Sequence, residues 1–343
     1  MKALVTGANG FLGTWLVREL LDRGHEVTTM TRRQGVSVGD GRVNQVFGDI
    51  RNADAVDQAC RDQEVVFHVA AISGIWGPWK LFHSTNTIGT RNVVEACLNQ
   101  DVRKLVYTSS PSVTFNGQHQ INQNESATYP TKWLAHYPHS KALAERRVLD
   151  ANDDHGLMTC ALRPHLIWGP GDRHLIPRVI ERARKRQLRR VGDGSNQIDT
   201  TYVENAALAH VLAAEAMQPD SPVCGSAYFI SQGDPVNCWG WINEILEFAG
   251  VPKVTNSISY YWAHRMGHAL EAWHEMFNIE SEPRMTRFLA AQLAKSHYFD
   301  ISRARNDFGY HPRVSMSEGM QQLALSLGSG AEEMRPETAQ DEF

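Results

Sequence analysis

The chain has 343 residues, 42% hydrophobic and 21% charged, with a formal net charge of -4. This is the composition of an ordinary soluble globular protein with room for one large core or two modest ones, and it leaves no basic footprint for nucleic acid. No segment approaches the roughly 18 consecutive apolar residues of a membrane-spanning helix, and the N-terminus begins a strand instead of a signal peptide, so a cytoplasmic protein is expected.

The opening reads as strand, turn, helix: Ala3 to Thr6 is apolar, Thr6-Gly7-Ala8-Asn9-Gly10-Phe11-Leu12-Gly13 follows, and Phe11, Leu12, Trp15, Leu16 and Leu20 recur at helical spacing up to Gly24. That context is what a dinucleotide fingerprint requires. Gly7 permits a tight turn, Gly10 lets the backbone approach a pyrophosphate, and Gly13 lets the helix pack on the strand with its N-terminus toward the anion. The second strand, Glu26 to Met30, ends without the Asp or Glu that binds a ribose 2′-hydroxyl roughly 20 residues past the glycines. Thr31, Arg32 and Arg33 stand there instead. Guanidinium groups suit a 2′-phosphate through bidentate charge-assisted bonds, so the expected cofactor is NADP(H).

Strands at Asn44 to Phe47, Val65 to Val69, Lys104 to Thr108 and Met158 to Arg163 alternate with helices near 52–61, 86–99 and 137–154, and a later strand lies near Ala227 to Ile230. Short apolar strands alternating with helices predict an α/β fold with a doubly wound parallel Rossmann sheet. Beyond Pro164 the pattern loosens into a Gly169-Pro170-Gly171-Asp172 breaker, a basic helix and an aromatic stretch from about Ser257 to Phe277. The expected division is a nucleotide-binding core over 1–164, completed by about 195–230. A smaller C-terminal substrate lobe takes 165–194 and 231–327, and an acidic, disordered tail takes 328–343.

Hydride transfer to a ketone builds negative charge on oxygen, so a site needs a proton donor, a group that acidifies it, and a second hydrogen bond to the carbonyl. In Tyr137-Pro138-His139-Ser140-Lys141 the phenol of Tyr137 donates, and Lys141, one helical turn on, lowers its pKa and binds the nicotinamide ribose. Ser110, at the end of the strand Lys104 to Thr108, is the third member, with Ser109 and Ser112 as neighbours that compete for the role. Ligands in such sheets bind outside the carboxyl ends of the strands.

Other features are read more plainly. Tyr260, Tyr261, Trp262, Met266, Leu270, Trp273, Met276 and Phe277 could line a long apolar groove, or pack a helix on the core or on a partner subunit. His264 and His268 have metal-ligand spacing but no third ligand, so no metal is expected. From Arg178 to Arg190 the arginines read as the solvated face of a helix whose Ile176, Val179, Ile180 and Ala183 pack inward. Trp76 and Trp79 follow the fourth strand, at a substrate mouth or as loop anchors. Cys60, Cys97, Cys160, Cys224 and Cys238 read as reduced thiols.

The glycine turn, Gly48-Asp49-Ile50, His68-Val69-Ala70-Ala71, Tyr107-Thr108-Ser109-Ser110, Tyr137 to Lys141 and Leu162-Arg163-Pro164 together resemble the extended short-chain dehydrogenase/reductase superfamily. Asp199-Thr200-Thr201-Tyr202-Val203-Glu204-Asn205 and Tyr298-Phe299-Asp300-Ile301-Ser302 resemble its 3-beta-hydroxysteroid dehydrogenase-like branch. Met285-Thr286-Arg287-Phe288-Leu289 and the stretches 107–114, 161–172 and 191–205 are similar to the bacterial 2-alkyl-3-oxoalkanoate reductases of olefin biosynthesis. The resemblance implies Ser110, Tyr137 and Lys141 as catalytic residues, Asp49 at the adenine and Arg32 at the 2′-phosphate. It also implies a cofactor site of Gly7, Asn9, Gly10, Phe11, Leu12, Gly13, Ile50, Ala70, Lys141 and Pro164. Reduction of a long-chain 2-alkyl-3-oxo acid by NADPH follows, with a homodimer and association with other olefin-pathway enzymes as implied partners. Two other readings stay open: steroid, sterol or nucleotide-sugar chemistry on the same fold, and a dinucleotide-sensing protein without catalysis.

Overall fold

The computed structural model describes residues 1–32 and 41–333, with side chains to residue 328. Seven strands form one parallel sheet in the order Ser226–Ile230, Met158–Pro164, Lys104–Thr108, Val65–His68, Lys2–Thr6, Glu26–Thr31, Val43–Phe47. All the strands expected from sequence are present, with ends that differ by a residue or two. The runs Ala3 to Val5, Val65 to Phe67, Leu105 to Tyr107 and Cys160 to Leu162 are buried on both faces, which is why they read as continuous apolar segments and not as alternating ones.

Two helical layers cover the sheet. On one side Leu12, Leu16 and Leu20 of the helix Phe11–Asp22 meet the alanine-rich helix Val203–Ala216. On the other, Val56, Val93, Cys97, Ala144 and Val148 bring in the helices Ala53–Cys60, Gly89–Asn99 and His136–Asp150. Strand order reverses direction between Lys2–Thr6 and Val65–His68, so the crevice of the doubly wound sheet opens at Gly7 and Ala70. All five cysteines are free thiols.

After Pro164 the chain builds a second core of Trp168, Tyr202, Trp239, Trp241, Ile242 and Ile245. A four-stranded sheet of Val236–Asn237, Gln197–Ile198, His297–Phe299 and Gln120–Gln123 ties that core back to the first part of the chain, which supplies the last strand. The segment 199–205 is the joint between the two. Thr201 Oγ1 donates to a shared pair of acceptors, His165 O and Ile230 O, and Asn205 both donates to Gln232 and Val314 O and accepts from the Arg313 and Val314 amides.

The basic helix spans Leu175–Arg184 and buries Ile176 and Ile180. It stops short of Arg190 because Arg186 takes a left-handed conformation (φ 54°) and Arg190 enters a short strand. Arg178 and Arg182 both bind Glu282.

The aromatic helix Tyr260–Met276 narrows the alternatives, because most of its large side chains do not pack on the core. Ala263, Gly267 and Glu271 are its buried residues, whereas Tyr261, Trp262, Met266, Trp273, Met276 and Phe277 are exposed. Close packing is the reason: a β-carbon on Gly267 would stand 2.6 Å from the carbonyl carbon of Thr286, so the small-residue face is the one that fits against the helix Arg287–Ala294.

The last helix, Met316–Glu333, continues past Gly328, where the tail was expected to begin; residues 334–343 lie outside the described residues. Among the described residues no helix is long and apolar enough to cross a membrane, and no cluster of His, Cys, Asp or Glu could hold a metal ion.

Candidate active site

At the carboxyl ends of the strands lies a cleft of about 670 Å³. Its floor is the glycine turn. Gly7 has φ +71°, and a β-carbon there would stand 2.8 Å from the Ala70 backbone; one on Gly13 would stand 2.2 Å from Gly7 O. The helix Phe11–Asp22 starts on Gly10 without a side-chain cap or an acidic residue in its first turn. Its leading N–H groups are therefore left to an anion, and the cradle fits a dinucleotide pyrophosphate.

Arg32, Asp49 and Ile50 line the far end of the cleft. Asp49 is held by Arg51, whose Nε reaches Oδ1 at 3.0 Å and whose Nη2 reaches Oδ2 at 2.7 Å. Those bonds, assisted by the charges of Arg51 and Arg32, keep the carboxyl below its ordinary range. Sequence reasoning missed Arg51, although its position two residues past Asp49 was a usable signal. Arg33 lies outside the described residues.

A buried polar chain runs beneath the turn. Thr6 Oγ1 shares a hydrogen bond with His68 Nδ1 (2.8 Å), His68 Nε2 with Thr90 Oγ1 (2.9 Å), and Thr90 donates to Asn86 O. Burial, with the nearby Lys141 charge, pulls His68 down to about 3, so it is a neutral linker. Asn86 sits in a π-helical turn, His83–Ile88, that leads into the helix Gly89–Asn99. Its amide accepts from Ile72 N and donates to Ile72 O and Ser140 Oγ, fixing the loop wall of the cleft to the helix His136–Asp150. π-Turns are frequent at functional sites; the polar run from Ser84 to Thr87 was the only trace of this one in the sequence.

Tyr137 and Lys141 enter the cleft from the helix His136–Asp150. Ser110 arrives from the end of Lys104–Thr108 and caps a 3-10 turn, sharing a 2.8 Å bond with Ser112. Ser109 is buried beside it and also lines the cleft, so it still competes for the role, whereas Ser112 lies outside the lining. Burial pushes the Tyr137 phenol up to about 12 against an opposing hydrogen bond from Ser110. Lys141 donates to Thr108 O at 2.6 Å and lies 4.2 Å above the Tyr107 ring; burial pulls it down to about 7, opposed by the Glu145 charge. In this arrangement the ammonium is directed to Thr108 and not to the phenol.

The cleft lining thus brings together Gly7, Asn9, Gly10, Phe11, Leu12, Gly13, Arg32, Asp49, Ile50, Ala70, Ser110, Tyr137, Lys141 and Pro164. It adds Asp172, which sequence reasoning had left inside a breaker, and His174, to which it gave no role. Asp172 accepts from the amides of His174, Leu175 and Ile176 and so begins the basic helix at the cleft rim. Trp79 packs against His83 and His139, anchoring its loop on the helix His136–Asp150. Trp76 turns away, toward the aromatic helix, with its indole N–H on Ile279 O.

Residues 4–259 match the 3-beta hydroxysteroid dehydrogenase/isomerase family. The chain is 45% identical over 328 residues to a 2-alkyl-3-oxoalkanoate reductase of Stenotrophomonas maltophilia, covering 95% of this chain and 99% of that one. It is 35% identical over 330 residues to a decarboxylating sterol-4-alpha-carboxylate 3-dehydrogenase of Mus musculus, covering 95% and 91%. The fold is also that of MoeE5, solved with UDP-glucose and NAD, at a TM-score of 0.73 and 24% identity over 96% of this chain and 100% of that one. The chain belongs to the 3-beta hydroxysteroid dehydrogenase/isomerase family and is an NAD(P)-dependent oxidoreductase acting on hydroxyl and keto groups.

Proposed function

We propose that this enzyme is a cytoplasmic NADPH-dependent reductase of long-chain 2-alkyl-3-oxoalkanoic acids, forming the 2-alkyl-3-hydroxy acid in hydrocarbon biosynthesis. The observation that carries the reading is the meeting of Ser110, Tyr137, Lys141 and the glycine turn in one cleft, in a chain 45% identical to a reductase of that name. The same reading assigns 1–164, completed by about 195–230, to the nucleotide-binding core, and 165–194 with 231–327 to a substrate lobe that closes over the cleft.

When bound, the dinucleotide supplies the hydride; the protein does the rest. Ser110 hydrogen-bonds the substrate carbonyl and polarises it, Tyr137 delivers the proton to the developing alkoxide, and Lys141 supports the phenol by its charge. Arg32 binds the 2′-phosphate. Arg51 neutralises Asp49, so that the carboxylate next to that phosphate does not repel it.

The test is NADP-dependent oxidation of a synthetic 2-alkyl-3-hydroxyalkanoic acid, which avoids the spontaneous decarboxylation of the keto acid. NAD and a 3-beta-hydroxysteroid serve as parallel arms, and Tyr137→Phe as the blank. Turnover with NADP and the branched acid, lost in the variant, supports the reading. Turnover confined to NAD and the steroid replaces it with sterol oxidation, and unaltered biological activity of Tyr137→Phe replaces it with a sensing role.

A further inference from the structure

A second cavity, of about 360 Å³, lies between the loop after the fourth strand, the residues leading into the catalytic helix, and the C-terminal end of the aromatic helix. We propose that this cavity is an alkyl-chain site, and that it receives one chain of the substrate from the carbonyl held at Tyr137. The identity of that chain rests on the reductase reading; the site itself rests on the following observations.

The cavity adjoins the chemistry. Ala135 and His136 line it and the next residue, Tyr137, lines the cofactor cleft; on the facing loop Ile72 and Ser73 line the cleft and Ile75 to Pro78 the cavity. Two stretches of chain therefore pass directly from one space to the other, at about 3.8 Å per residue. Its volume falls in the range of small-molecule sites, about 300–1,000 Å³.

The interior offers a ligand apolar contact. Ile75, Trp76, Pro78, Trp133, Leu134 and Ile279 form walls, and Ile75 and Leu134 rest on the buried cluster of Phe115, Phe288 and Ala291. Several polar groups of the lining have partners within the protein. Glu271 accepts from Arg287 N and Nε, His136 Nδ1 bonds Gly77 O, His274 Nδ1 bonds Leu270 O, and the Trp76 indole bonds Ile279 O. The remaining carboxylates, Glu275 and Glu280, are exposed at the mouth. Three carboxylates against the single guanidinium of Arg287 disfavour an anionic head group, so the substrate carboxylate is assigned to the cofactor cleft and its hydrocarbon chain to the apolar walls of this space.

The experiment measures kcat/KM for 2-alkyl-3-hydroxyalkanoic acids of increasing chain length, and in parallel the binding of 1-tetradecanol. Wild type is compared with Ile279→Trp and Leu134→Phe, which fill the cavity from opposite walls; thermal melts identify a variant that fails to fold, and the other then carries the test. Each methylene seated in the cavity is expected to raise wild-type kcat/KM about fourfold. Filled variants lose this gradient, with long-to-short selectivity down at least about tenfold and weaker tetradecanol binding. Turnover of neither acid by wild type, with tetradecanol binding retained and lost on filling, supports the site while removing the reductase reading. A chain-length gradient unchanged in folded variants, or tetradecanol binding insensitive to them, overturns the proposal.

Discussion

Glu145 lies one turn beyond Lys141, fully buried, and its carboxylate is shared between Arg163 and Tyr129. Arg163 Nε reaches Oε2 at 3.0 Å, Arg163 Nη2 reaches Oε1 at 2.5 Å, and the Tyr129 hydroxyl donates to Oε1 at 2.6 Å. Glu145→Gln should therefore have two separable effects. The first is on stability: a buried guanidinium left without its anion costs about 3–5 kcal/mol. The second is on Lys141, whose ammonium is opposed by burial and favoured by the Glu145 charge. Two charges about 6 Å apart, as i,i+4 neighbours on a helix are, interact by about 3 kcal/mol at an effective dielectric of about 20. That equals about 2 pH units, and the opposing Arg163 charge offsets part of it. Removing the anion lowers the lysine pKa, so the alkaline limb of kcat/KM, set by loss of the ammonium, moves about 1–2 units toward lower pH. The double variant Glu145→Gln, Arg163→Met separates the effects, because it removes the orphaned guanidinium without restoring the anion. Denaturant unfolding should show stability largely recovered, while the pH profile stays displaced. Profiles of both variants that overlay the wild type would refute the electrostatic link to Lys141, and a single variant as stable as wild type would refute the buried pair.

Gly13→Ala places a β-carbon 2.2 Å from Gly7 O, so the helix must retreat from the turn; a loss of about 1–3 kcal/mol is expected, together with weaker dinucleotide binding, read by melts with and without NADPH. Arg32→Ala removes a charge-assisted bond worth about 1.5–3 kcal/mol, so the preference for NADP over NAD should fall by roughly 10- to 150-fold, measured as the ratio of kcat/KM values; an unchanged ratio rejects the 2′-phosphate role. Burial raises Asp199 from 3.8 to about 6, against the hydrogen bond from Phe299 N. Between those values the folded state holds more protons than the unfolded chain, so the stability this carboxyl contributes is fully present below 3.8 and is lost as pH rises through about 6. The total is about 3 kcal/mol, and Asp199→Asn should flatten that slope in denaturant unfolding between pH 4 and pH 7.5.

What the sequence conveyed was local geometry with a steep penalty. Gly7 and Gly13 stand where any side chain would meet backbone, and the parallel strands are buried on both faces, so glycine spacing and apolar runs both survive in the letters. The aromatic helix shows the opposite case. Helical period marks a stripe but not its direction, and here the narrow Ala263, Gly267, Glu271 stripe faces inward because it admits a neighbouring helix at contact distance. Side-chain size alone would place the other face on the core. Asn86 was missed for a different reason: it acts through Ile72 and Ser140, both distant in sequence, and no periodicity records such a pairing, whereas Arg51 left a local signal in its spacing from Asp49.

The segment 199–205 carried much of the family resemblance, yet none of its side chains lines the cofactor cleft. Its bonds hold the lobe against the sheet. Thr200 Oγ1 accepts from the Trp168 indole, Tyr202 donates to Gln322, and Asn205 is bonded through both its amide nitrogen and its oxygen. Each buried partner left unsatisfied costs about 1–3 kcal/mol, so the joint permits few alternative lobe positions. The aromatic helix belongs to that lobe and forms one side of the second cavity, while Tyr137 belongs to the sheet side. The distance between the proposed chain-binding walls and Tyr137 is therefore set by residues that line neither the cleft nor the second cavity. A resemblance in such a segment speaks to how the lobe is set against the sheet, and the proposed chemistry rests instead on Ser110, Tyr137 and Lys141.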